Sequence, residues 1–224
     1  MGGLLFFATT AALMVMMINC GFGVVGRDSL RERRVPWAAV GLTALAVAGV
    51  VLQLCWSGAM DALDGDPAKA GWWREFTSVF MQNGGISGAA WNLGTLAVVA
   101  ALAQWFWGGP LTVGFFLAGI VLPGRIDALL GFGDGPSTDP RNFAGSSGAT
   151  YFLGATLALA LLTRALVPKQ RLLAVAVPVL GLLMWVLQDN GHGLVAVYGF
   201  ALGALAWAVR RCLTRPGPET SPAP

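Results

Sequence analysis

The stretch "NFAGSSGATY", residues 142 to 151, sets two serines between Gly145 and Gly148, where a polar loop turns into an apolar run beginning near Ala149. Serine at a helix start has an ordinary use as a cap for exposed amides. Its meaning here depends on the solvent around that helix. Of the 224 residues, 56% are hydrophobic and 11% charged, against about 45–50% and about 25% in a soluble domain. The composition is that of a membrane chain. Its nine tryptophans and 31 glycines agree, since Trp gathers at the headgroups and Gly is more frequent in membrane helices.

The net charge of +3 is small and scattered, which argues against nucleic acid as a partner because that needs a concentrated basic face. Cys20 and Cys55 lie in apolar segments and Cys212 in a basic one, so they outline no disulfide framework. One histidine and three separated cysteines give no zinc-ligand spacing. No metal or other cofactor is expected.

Apolar runs fall at about residues 4–25, 37–56, 87–106, 109–124, 146–163, 172–187 and 192–209, close to the span length a bilayer requires. The first has no basic n-region and no A-x-A cleavage pattern, so it reads as a helix and not as a signal peptide. Seven spans place "GRDSLRERR", "TRALVPKQR" and "RRCLTR" on one side, which the positive-inside tendency makes cytoplasmic. The more acidic connections, "DALDGDPAKAGWWRE", "GRIDALLGFGDGPSTDPR" and "QDNG", fall on the other. The expected topology has its amino terminus outside and its carboxyl terminus in the cytoplasm. The last residues, "RPGPETSPAP", are too polar to pack and read as disordered.

Two polar residues stand at the outer ends of inward-running helices: Ser147 in "GSSGATYFLG" and the single histidine, His192, in "DNGHGLVAVYGFALGAL". At matched depth they can meet. A serine hydroxyl needs a neighbouring base to become a nucleophile, and a neutral imidazole can serve. The plain alternatives are a capping serine and an interfacial histidine. Asp189, three residues before His192, is a weak candidate for an orienting acid because it falls at the water boundary. Gly148 leaves room for a peptide beside Ser147 and the helix-start amides. Gly199 and Gly203 form a one-turn repeat that permits close helix approach.

With these residues placed, the chain resembles the rhomboid family of intramembrane serine proteases. The resemblance rests on "GSSG" at 145–148, Tyr151 one turn below, His192 followed by Gly199, "WWREFTSVF" with Trp73 and Arg74, and "GAAWN" at 88–92. It implies Ser147 as nucleophile, His192 as base, Tyr151 stacked on the imidazole, and Asn92 with Gly148 at the oxyanion. The family pattern has histidine where this chain has Gly88, and often glutamate where it has Gln104. Gln82 or Asn83 from the preceding turn is the expected compensation. Trp72, Trp73 and Arg74 are expected to shape and anchor the loop and to take no part in the chemistry.

The expected fold is an all-α polytopic membrane protein, a rhomboid-like six-helix core bundle over residues 36–209. Residues 1–35 form an extra amino-terminal transmembrane helix with its basic loop, and residues 210–224 form a disordered cytoplasmic tail. The expected activity is endoproteolysis of transmembrane segments, with membrane proteins as substrates, lipids as surroundings and a bacterial inner or plasma membrane as location. The alternative that Gly88 favours is an inactive rhomboid-like protein that binds membrane clients. A proton relay or transporter through His192 is a third reading, but the polar residues collect toward one membrane face.

Overall fold

The computed structural model describes residues 2–132 and 143–213. Among them the chain is helical, with no strand. The long helices are α1 (Gly2–Val25), α2 (Trp37–Cys55), α5 (Gly85–Trp107), α6 (Gly109–Leu130), α7 (Ser147–Arg164), α8 (Pro168–Gln188) and α9 (Gly191–Leu213). A 3-10 turn (Asp28–Glu32) follows α1, and the short helices α3 (Ala59–Leu63) and α4 (Arg74–Thr77) lie in the α2–α5 connection.

Six of these helices, α1, α2, α5, α6, α8 and α9, are long and apolar enough to cross a membrane. The chain is therefore a polytopic α-helical membrane protein. The remaining long helix, α7, is enclosed by α1, α5, α6, α8 and α9, and every residue from Ala149 to Leu161 is buried. Protein surrounds it on all sides. A helix without lipid contact can carry Thr150, Tyr151 and Thr156 in its interior, provided that each finds a hydrogen bond. Thr150 Oγ1 and Thr156 Oγ1 donate to carbonyls within the helix at 2.7 Å.

The first helix is no appendage. Leu13, Met14, Met17 and Cys20 are fully buried, and α1 lies against α5, α7 and α8. It belongs to the core that the sequence places in residues 36–209 alone. Two helix ends also differ from their expected positions. The sixth helix continues beyond residue 124, past Pro123 to Leu130, and its added turns bring Asp127 to the hydroxyl of Tyr198, which donates to Oδ1 at 2.5 Å. The last helix runs through Arg210 and Arg211 to Leu213, where cations oppose the negative end of the helix dipole. Residues 210–213 are thus helical, and the rest of the expected tail lies outside the described residues. So does most of "GFGDGPSTDPR".

The chain reversals gather the starts of α5, α7 and α9 with the end of α8 and the first half of α1. The basic segments lie at the opposite end. There the indole of Trp105 donates to Arg34 O at 2.9 Å, and the Arg164 guanidinium stacks over Phe106 at 4.6 Å. Gln104 Oε1 accepts from the amides of Ala38 and Ala39 at 2.7 and 3.2 Å, so it caps the first turn of α2, whose amides have no partner of their own.

The α2–α5 connection is stapled by ions and then pinned to the start of α7. Arg74 donates to the Asp61 and Asp64 carbonyls and to the Asp64 carboxylate at 3.1–3.2 Å, while Lys69 bridges Asp61 and Asp64 at 2.7 and 2.9 Å. Gly65 N–H donates to Phe143 O and Gly145 N–H to Ser78 O. Arg74 therefore holds the loop that holds the approach to Ser147.

Candidate active site

Ser146 is the N-cap residue of α7, yet its hydroxyl makes no cap bond. Ser147 begins the helix, so its side chain points across to α9. There its Oγ lies 3.0 Å from His192 Nε2. The two adjacent serines have separate surroundings: among the described residues Ser146 Oγ is buried without a partner, while Ser147 is partly exposed and paired with the imidazole.

Glycine sets that distance. A Cβ at Gly199 would overlap the carbonyl of Phe152, and one at Gly203 would lie 3.1 Å from Thr156 Cα. Both glycines are buried between α9 and α7, so the two backbones touch about two and three turns of α9 below His192. Gly148 differs, since among the described residues a Cβ there would have nothing within 4 Å. Space is open beside the hydroxyl.

Tyr151 packs edge-on against His192, with ring centroids 4.8 Å apart and planes at 61°. Its hydroxyl donates to Thr10 O of α1 at 2.6 Å. Asp189 does not orient the ring. It is exposed, with a left-handed backbone (φ 50°) at the end of α8. The fully buried neighbour Asn190 takes that place, its Oδ1 lying 3.3 Å from His192 Nδ1. Sequence reading passed over Asn190 because the adjacent carboxylate drew attention and because its anchor, Thr10, is 180 residues away.

On the other side of Ser147 stands Asn92. The Cβ position of Gly145 lies 3.5 Å from Asn92 Nδ2 and 3.8 Å from Ser147 Oγ, so the missing side chain keeps the gap between them open. Asn92 Nδ2 donates to Gln82 Oε1 at 2.8 Å. Gln82 is buried, and its backbone is clamped on both sides by the amide of Gln53 on α2. Among the described residues its Nε2 is a buried donor without a partner. Such a group is costly to leave unpaired.

Gly88 has a steric reason. A Cβ there would lie 2.8 Å from the carbonyl oxygen of Asn83, too close without a backbone shift. The turn of Gln82 and Asn83 occupies the room that a side chain at position 88 would need. Of the two sequence candidates for compensation, Gln82 is hydrogen-bonded to Asn92.

The first amides of α7 complete the set, since the opening N–H groups of a helix have no intrahelical acceptor and carry its positive end. Together the residues place a hydroxyl, an imidazole, a buried amide and the first N–H groups of α7 at one end of the bundle. No charged side chain is hydrogen-bonded to Ser147 or His192 among the described residues.

Comparison with family models, curated proteins and solved structures finds no match for this chain.

Proposed function

We propose that the chain is a rhomboid-type intramembrane serine endopeptidase that cuts transmembrane segments of other membrane proteins near the outer face of the membrane. The contact of 3.0 Å between Ser147 Oγ and His192 Nε2 carries the reading, because nucleophile and base must lie within hydrogen-bond reach. In this reading α7 is the seventh crossing. The segregation of basic segments to the end away from Ser147 supports an outside amino terminus and an inside carboxyl terminus, and a bacterial cell membrane is the proposed setting.

Ser147 Oγ attacks the scissile carbonyl carbon as its proton passes to His192 Nε2. The carbonyl π pair moves to oxygen, where the helix-start N–H groups of Ser147 and Gly148 and Asn92 Nδ2, held by Gln82 Oε1, stabilise it. Collapse expels the amine, which takes the proton from His192 and leaves an acyl ester on Ser147. Water then gives a proton to His192 and attacks the ester, and Ser147 recovers its proton as the acid leaves. The substrate must unwind locally, since an intact helix keeps its carbonyls paired. The open space at Gly148 is where it approaches.

A client-binding protein without catalysis is the competing reading, and it draws on Gly88. Gln82 supports catalysis, because its Oε1 holds Asn92 Nδ2 in a chain where a side chain at position 88 would meet Asn83 O. The test is cleavage of labelled transmembrane substrates by purified protein in liposomes. Product formation abolished by both Ser147→Ala and His192→Ala supports the reading, and cleavage unchanged by both overturns it.

A further inference from the structure

We infer that Asn190 is a positioning residue that fixes the proton of His192 on Nδ1, and that the first helix anchors it through Thr10. The inference rests on the serine–histidine reading above. Asn190 joins α8 to α9 and is fully buried. Its amide has three contacts. Nδ2 donates to Thr10 Oγ1 at 2.8 Å, Oδ1 accepts the backbone N–H of His192 at 3.1 Å, and the same oxygen faces His192 Nδ1 at 3.3 Å.

The directions of these bonds follow from proton inventory. Thr10 has one hydroxyl proton and gives it to Phe6 O at 2.7 Å, so toward Asn190 it can only accept. The amide is thereby oriented with Nδ2 on Thr10 and Oδ1 on His192. A flipped amide would set its NH2 against the backbone N–H of His192, donor against donor. An amide oxygen carries no proton, so Nδ1 must bring one. The neutral ring then has its lone pair on Nε2, facing the Ser147 hydroxyl.

The whole row runs one way. Ser147 donates to His192, His192 to Asn190, Asn190 to Thr10, and Thr10 to the carbonyl of Phe6. A backbone carbonyl cannot donate, so α1 sets the direction from its far end. The other tautomer would place N–H against the serine oxygen and two lone-pair atoms against each other at Asn190. A neutral amide adds no counter-charge; it works by orientation, as in the Cys-His-Asn arrangement of some thiol proteases.

His192 is the only histidine in the chain, so 15N-histidine labelling gives one pair of ring-nitrogen resonances. At about pH 8, where an ordinary imidazole is neutral, the wild type is expected to show a protonated Nδ1 and a bare Nε2. Asn190→Ala is expected to admit the second tautomer and to lower kcat by about 10²-fold, the lower end of what a positioned base contributes, with KM unchanged. Thr10→Val moves both readouts in the same direction by less, and Thr10→Ser restores them. If Asn190→Ala does not fold, the Thr10 pair carries the test.

A wild-type ring protonated on Nε2 would overturn the inference, as would tautomer and kcat both unmoved in Asn190→Ala and Thr10→Val. The spectrum needs no substrate. The expected tautomer together with cleavage indifferent to Ser147→Ala would overturn the protease reading and leave the positioning of His192 standing.

Discussion

Tyr151 holds His192 from one side, ring edge to ring at 4.8 Å, and is itself tied to α1 through its hydroxyl bond to Thr10 O. A residue of α7 thus couples the imidazole on α9 to the first helix. Tyr151→Phe keeps the ring and loses one hydrogen bond, a change of about 1 kcal/mol in stability. Cleavage should fall only a few-fold. Tyr151→Ala empties a fully buried site and should cost about 3–5 kcal/mol, with cleavage lost. Denaturation in detergent with parallel cleavage assays distinguishes the two; equal effects of Phe and Ala would contradict the packing role.

Two glycines near Ser147 should respond in opposite ways. Gly199→Ala sets a methyl against the Phe152 carbonyl and separates α9 from α7. A displacement of about 1 Å at the reacting atoms is expected to lower kcat by about 10²-fold. Gly148→Ala has free space around it, so the fold should be kept while KM rises as the substrate loses that space. Steady-state kinetics of both variants decide it.

The oxyanion side predicts a cost for losing either amide. Asn92→Ala and Gln82→Ala should each lower kcat by about 10²–10³-fold, the range for one oxyanion donor. Their combination should fall short of the product, because one amide holds the other. Gly88→His should not raise activity, since the new side chain meets Asn83 O. A gain of activity in that variant would contradict the steric account.

The α2–α5 connection carries the pH dependence. The hydrogen bond from Lys69 holds the Asp61 carboxyl below its ordinary value of 3.8, and the bonds to Asp61 and Asp64 raise Lys69 above 10.5. A lowered carboxyl stabilises above its unfolded value and loses that contribution as pH falls through the folded one. A raised ammonium stabilises below its unfolded value and loses the contribution as pH rises through the folded one. A spin label at the exposed Ala68 should therefore keep the same mobility from about pH 5 to about pH 9 and loosen only outside that window. Lys69→Ala should loosen it throughout. A transition centred near neutral pH would contradict the assignment.

Much of the site was legible because it is local in sequence or tied to helix ends. Ser147, His192 and the Gly199 contact follow from helical spacing and from the order of the apolar runs, whereas Tyr151 and Asn92 are named only by the rhomboid resemblance. The role of α1 was not legible. Thr9 and Thr10 are mild polar residues in an apolar run, and nothing local signals that Thr10 meets Tyr151 and Asn190 across the bundle. The extra turns of α6 were missed because Arg125 and Asp127 read as loop charges, while Tyr198 gives Asp127 a partner. The enclosed α7 shows the same limit in reverse: its polar residues lower its hydropathy because protein, and not lipid, surrounds it.

The central claim is that Ser147 is a nucleophile activated by His192, and covalent trapping tests it without knowledge of the substrate. An electrophilic phosphonate that loses its leaving group to an activated serine is added to the purified protein in detergent, and the adduct is located by peptide mass spectrometry. The account predicts one adduct, on Ser147, absent in Ser147→Ala and reduced by at least about 10²-fold in rate in His192→Ala. An adduct on Ser146, or labelling as fast in His192→Ala as in the wild type, would contradict it.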